Sequence, residues 1–138
     1  MSFNINGNLC VISNLSIGKT NPGYTMDVSG NIYISGYTYS SYFSTTSDYR
    51  IKENPIELDS TFTVDELRPV RYKNTVLNKE DYGFIAHEMQ NVYPVLVEGE
   101  KNGEHMQSIN YSGILPILVN EIKSLKHRIE TLEEKFRC

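Results

Sequence analysis

Ser47, Asp48, Tyr49, Arg50, Ile51 and Lys52 are consecutive, and two of them could do chemistry: a hydroxyl and an amine. A serine hydroxyl attacks a carbonyl only when a base takes its proton. Lysine serves as that base only as the neutral amine, which requires its pKa to fall by several units. Burial and the neighbouring positive charge of Arg50 both act in that direction. In an extended chain Ser47 and Lys52 lie on opposite faces, so a turn or bulge must bring them together. A pairing of Asp48 with Arg50 could hold such a turn. Serine and lysine at this distance occur by chance in most proteins, so the spacing alone leaves the chemistry open.

The other reactive groups form no constellation. His87, His105 and His127 are scattered without ligand spacing, so neither a metal nor another cofactor is expected. Cys10 and Cys138 sit near opposite ends and read as two free thiols. No paired carboxylates suggest a glycosidase. Tyrosines in 33–42 could stack on glycans, but such residues more often pack between strands.

The chain of 138 residues is about one domain's worth, and its net charge of −4 argues against nucleic acid as a partner. No apolar run approaches the roughly 20 residues of a membrane helix, and no secretory signal opens the chain, so no membrane partner is expected.

Composition changes at the Ser47 motif. Residues 1–46 hold one base, Lys19, and one acid, Asp27; every other charge follows them. Apolar pairs alternate through this first part: Phe3 and Ile5, Leu9 and Val11, Leu15 and Ile17, Ile32 and Ile34. Asn6-Gly7, Asn21-Pro22-Gly23 and Ser29-Gly30-Asn31 punctuate them as turns, a pattern of short strands with hairpin connections. Such strands are too sparsely apolar to close a core in one chain. Partner copies would supply one.

Beyond the motif the elements are mixed. Thr63 to Leu67 reads as a short helix, with Thr63 as N-cap and Glu66 completing a capping box. Arg68-Pro69 ends it. Val70-Arg71-Tyr72 reads as a strand, Glu88 to Val92 as a helix stopped before Pro94, and Val95-Leu96-Val97 as a strand. Glu98 to Gln107 reads as a hairpin tip, with Ser108 to Tyr111 as the return strand.

The last segment carries the strongest periodicity. Leu115, Leu118, Ile122, Leu125, Ile129, Leu132 and Phe136 are spaced alternately three and four apart. That is a heptad stripe with Leu115, Ile122, Ile129 and Phe136 at a and the three other leucines at d, a coiled-coil helix over about 114–137. Pro116 falls in its first turn, where a missing N–H costs little. In a parallel arrangement Glu121 at g faces Lys126 at e of a neighbour, and Arg128 faces Glu133. An a/d stripe is narrower than the face a globular helix buries. Ile at a with Leu at d leans towards two strands, so the heptad alone does not choose between dimer and trimer.

Four blocks in order now stand together: Ser47 to Ile56, Leu67 to Tyr72, Gly83 to Glu88, and Tyr111 to Leu115 running into Glu121 to Leu125. They resemble the endosialidase-type intramolecular chaperones, the S74 peptidase family, over 47–138. His87 stands where that family's motif has Gln, and Pro55 interrupts its Asn-Ile pair. The resemblance implies an α+β chain. A β-strand-rich trimeric stalk segment, 1–46, precedes a mixed α/β chaperone and auto-processing domain, 47–138, that ends in the coiled coil. It implies a homotrimer that templates folding of the upstream viral fibre segment as its client, on the virion or in host cytoplasm during assembly. Release follows a single self-cleavage between Thr46 and Ser47, with Ser47 as nucleophile, Lys52 as general base, and Asp48, Arg50 and Asn54 as supporting motif residues. A trimerisation tip that never cuts is the alternative. The absence of a basic region and a membrane helix weighs against a membrane-tethered transcription-factor segment such as the myelin regulatory factor.

Overall fold

A computed structural model describes residues 9–137. The Phe3–Ile5 pair, the Asn6-Gly7 turn and Cys138 lie outside the described residues. The chain forms two compact units, one ending at Asp48 and one beginning at Tyr49. Helix and strand are mixed, as an α+β class requires.

In the first unit, β1 (Leu15–Ile17) pairs with β2 (Met26–Val28). The pairing is parallel, with Leu15 opposite Met26 and Ile17 opposite Val28. The hairpin expected across Asn21-Pro22-Gly23 is therefore not formed; the connection carries the chain back to run in the same direction. Its two charges explain the route. Lys19 Nζ lies 2.8 Å from Asp27 Oδ2, and the Gly23 N–H donates to the same oxygen at 2.8 Å. Asp27 on β2 thereby gathers both ends of the connection. Gly18, at φ +75°, allows the sharp exit from β1, where any Cβ would lie 2.5 Å from the Ser29 carbonyl oxygen. Leu9–Val11 and Ile32–Ile34 form no strands. Their alternation needs a neighbouring strand to hydrogen-bond, and among the described residues of the unit none pairs with them.

The second unit has a core. In the hairpin of β3 (Val70–Asn74) and β4 (Lys79–Gly83), the antiparallel register pairs Val70 with Gly83 and Asn74 with Lys79. Asn74 Oδ1 accepts from the Val76 and Leu77 N–H groups, and Asn78 turns the chain at φ 49°. Helix α1 (Ala86–Val92) follows. Its inward positions continue into the next turn: Met89, Tyr93 and Leu96 are all buried. Pro94 stops α1, as expected, but Pro94–Leu96 is a 3-10 turn, so the strand expected over 95–97 shrinks to β5 (Val97–Glu98). β5 pairs antiparallel with β6 (Ser108–Ile109) across the expected polar tip. Tyr111 belongs to a 3-10 turn rather than to the return strand.

The expected helix over 63–67 is a single turn. Thr63 Oγ1 does accept from the Asp65 N–H at 3.1 Å, and the Leu67 N–H reaches the Val64 carbonyl. With Pro69 so near, one turn is all the backbone can complete.

Helix α2 (Ile114–Phe136) is long and continuous. It meets its own domain through Ile114 and Ile117, which join Met89, Tyr93, Leu96 and Val97 in the core. Gly113, just before α2, has no room for a methyl group because the Leu96 side chain fills that space.

Candidate functional site

Ser47 stands in exposed, irregular backbone at the end of the first unit, directly after exposed Thr46. Tyr49–Ile51 then form a single 3-10 turn, closed by the Lys52 N–H donating to the Tyr49 carbonyl at 3.0 Å. This turn lies between Ser47 and Lys52. Asp48 is half-buried, whereas Arg50 and Lys52 are exposed. Asn54 adopts φ 47°, a left-handed conformation that asparagine tolerates better than most residues. That gives a backbone reason for the type at this motif position.

The later blocks have another role: they converge on one another. Arg68 and Glu88 form a forked ion pair, Nε to Oε2 at 3.0 Å and Nη2 to Oε1 at 2.5 Å. It joins the Leu67–Tyr72 block to the Gly83–Glu88 block. The hydrogen bond from Arg68 holds the Glu88 carboxyl below the usual carboxylate range. Tyr111 brings in the next block. Its hydroxyl accepts from the Phe84 N–H at 3.3 Å, and its ring lies 6.2 Å from that of Phe84. A side chain on Gly83 would strike the Tyr111 hydroxyl and displace it from this contact. Burial pushes the Tyr93 hydroxyl up, and it donates to the Thr63 carbonyl at 2.7 Å.

α2 presents the third feature. Its seven a and d side chains are exposed, from 40% for Leu118 to 87% for Phe136. The stripe does not pack on its own domain: Ile114 and Ile117, one residue ahead of Leu115 and Leu118, do so instead. Beside the first turns of α2, an apolar groove of about 560 Å³ is lined by Val64, Leu67, Pro69, Phe84, Leu115 and Leu118. The stripe and this groove form one apolar surface on the second unit. Sequence reasoning missed the groove because its residues come from three separate segments.

These elements define an α+β domain whose motif blocks knit a small core and whose longest helix carries a second, uncovered apolar face. Residues 47–98 match the family model Peptidase_S74, described as chaperone of endosialidase. The match begins at Ser47 and takes in the first three blocks; the Tyr111 block and α2 lie beyond it. No curated protein matches the chain. The match supports a chaperone role, and the family carries a peptidase name. Among the described residues, no helix is long and apolar enough to cross a membrane.

Proposed function

We propose that the chain is the C-terminal intramolecular chaperone of a viral fibre. On this reading 47–138 trimerises, templates the β-structured segment 1–46, and releases itself by one cut between Thr46 and Ser47. The observation that carries the reading is the exposed heptad stripe of α2. Leaving seven large apolar side chains in water at coiled-coil spacing is unfavourable, and the partner that fits this spacing is another copy of the same helix. The first unit supports it from the other side. None of the residues 9–48 is buried, so its strands too await neighbouring copies.

In the proposed reaction, Ser47 Oγ attacks the carbonyl carbon of Thr46 through a five-membered ring. Lys52, as the neutral amine, takes the hydroxyl proton. The Thr46–Ser47 C–N bond breaks, the proton passes to the departing Ser47 nitrogen, and an ester joins Thr46 to Ser47 Oγ. Water hydrolyses this ester to the Thr46 carboxylate and the free Ser47 hydroxyl. Having nucleophile and carbonyl in one chain removes the cost of bringing two molecules together. Both Ser47 and Lys52 are exposed in the single chain. Packing of neighbouring copies would desolvate Lys52 and favour its neutral form, so that cutting follows assembly. Loss of the chaperone would then leave the fibre kinetically trapped.

The same exposure is the observation behind a second reading, a tip that assembles without cutting. Ser47→Ala and Lys52→Ala decide between them. Both variants should assemble as the parent does and remain one band on a denaturing gel while the parent gives two. A fully cut Lys52→Ala chain would remove Lys52 as the base, and an uncut parent would leave only the second reading.

A further inference from the structure

Helix α2 touches its own domain over only its first two turns. Ile114 and Ile117 are buried, Asn120 and Glu121 are half-buried, and 122–130 are exposed. Asn120 thus sits where the packed part of the helix gives way to the uncovered part. Its side chain makes two hydrogen bonds from one nitrogen: Nδ2 donates to the Asp59 carbonyl at 2.9 Å and to the Phe62 carbonyl at 3.1 Å.

The acceptor is a built structure. The Phe62 N–H closes a turn onto the Asp59 carbonyl at 3.2 Å. Asp59 Oδ1 accepts from both the Thr61 N–H at 2.8 Å and the Thr61 hydroxyl at 2.6 Å. Those bonds hold the Asp59 carboxyl below its ordinary range. Behind the turn, the Phe62 ring stacks on Tyr93 with centroids 6.3 Å apart, and Leu58 packs against the core. The turn is held by several bonds, and it terminates the leader 49–58, which carries Lys52 seven residues before Asp59.

With Leu115 at a, Asn120 occupies an f position, pointing away from the a/d seam. A side chain there adds nothing to contact between coiled-coil strands. Its amide is directed instead at the backbone that leads to the cleavage motif. We propose that Asn120 is a positioning residue that couples ordering of α2 to the placement of the Lys52 leader, so that assembly along the stripe sets the geometry in which the chain cuts. This inference rests on the proposed self-cleavage and adds its link to assembly. Packing of the stripe on neighbouring copies would order the exposed part of α2 beyond Asn120. The turn at 117–121 then fixes the 59–62 turn through two bonds.

The test uses the full chain with Asn120→Ala and Asn120→Asp, the latter replacing the donor by an acceptor facing two carbonyls. Sedimentation gives the assembly state, denaturing mass the rate of cutting, and hydrogen exchange the protection of the Phe62 and Lys52 amides. We expect both variants to assemble as the parent does and to cut about tenfold to a hundredfold more slowly. Exchange at Phe62 and Lys52 should rise about tenfold while that of residues 122–132 stays unchanged. The pH midpoint of cutting should stay fixed while its plateau falls, which general destabilisation would not produce. Cutting at the parental rate by an assembled Asn120→Ala chain overturns the proposal, as does unchanged exchange at Lys52. If the parent never cuts, the Ser47–Lys52 reaction fails by itself, and exchange at Lys52 still decides whether Asn120 holds the leader.

Discussion

In residues 49–137 Met89, Tyr93, Leu96, Val97, Ile114 and Ile117 are buried together, whereas no side chain in 9–48 is buried and Ile12, Tyr33 and Tyr39 stand 98%, 91% and 88% exposed. Both parts contain apolar residues in plenty. The difference is where their partners are. The second unit brings its own, by folding α1, the Pro94 turn and the start of α2 onto one another. The first unit alternates apolar and polar residues, and none of its described residues is buried. It shows one short parallel pair, pinned by the Lys19–Asp27 ion pair. On the proposed reading, a segment of this kind would gain its core from identical neighbours gathered by the second unit. α2 has both habits in one helix: its Ile114–Ile117 face is satisfied within the chain, and its a/d stripe is not.

Charging the stripe should have the largest effect. Ile122→Asp together with Ile129→Asp leaves the Met89 core untouched but puts carboxylates into two a layers. Sedimentation should then show single chains, and cutting should disappear with assembly. Persistent assembly in this variant would show that the stripe is not what joins the copies.

Truncation compares the two units directly. Met89→Ala should destabilise the second unit by about 2–5 kcal/mol, the usual cost of emptying a fully buried methionine site. Ile32→Ala, at an exposed position, should change the stability of the unassembled chain by less than about 0.5 kcal/mol. Denaturant melts measure both. An Ile32→Ala cost that appears only in the assembled protein would sharpen the contrast, because it would reveal a core made between copies.

The smallest effect concerns acid. The hydrogen bond from Lys19, with the Gly23 N–H adding to it, holds the Asp27 carboxyl below its ordinary range. A depressed carboxyl favours the folded form above its unfolded value, and that contribution fades as pH falls through the native value. The β1–β2 pair should therefore loosen in acid, and Asp27→Asn should remove this pH dependence. Amide exchange at Leu15 and Ser29 follows it. Identical acid profiles for parent and variant would mean that the ion pair does not hold the strands.

Much of the second unit was legible in the sequence. The heptad spacing outlined α2, Pro94 marked the end of α1, and the polar run 98–107 predicted the β5–β6 hairpin. The inward face of α2 was not legible, because Ile114 and Ile117 read as neighbours of a stronger stripe. The β3–β4 hairpin was missed because its turn rests on Asn74 and Asn78 rather than on a glycine pair. The capping box at Thr63 was misleading: its Thr63–Asp65 bond forms, but the segment is too short to become a helix. In the first unit, alternation indicated strands but could not give their direction, which depends on the Lys19–Asp27 contact. Of the candidate site, the motif residues were legible by type, and a turn between Ser47 and Lys52 was expected where Tyr49–Ile51 form one. The Arg68–Glu88 fork and the Asn120 clip were not, because each joins residues far apart in sequence.

Whether assembled copies cut themselves between Thr46 and Ser47 is read from the denatured mass of the purified full chain beside Ser47→Ala. The account predicts a parental fragment that begins at Ser47, one that ends at Thr46, and an intact Ser47→Ala chain, all recovered from assemblies of three copies. A parent that sediments as a single chain, or one that assembles and stays whole however long it is kept, would contradict it.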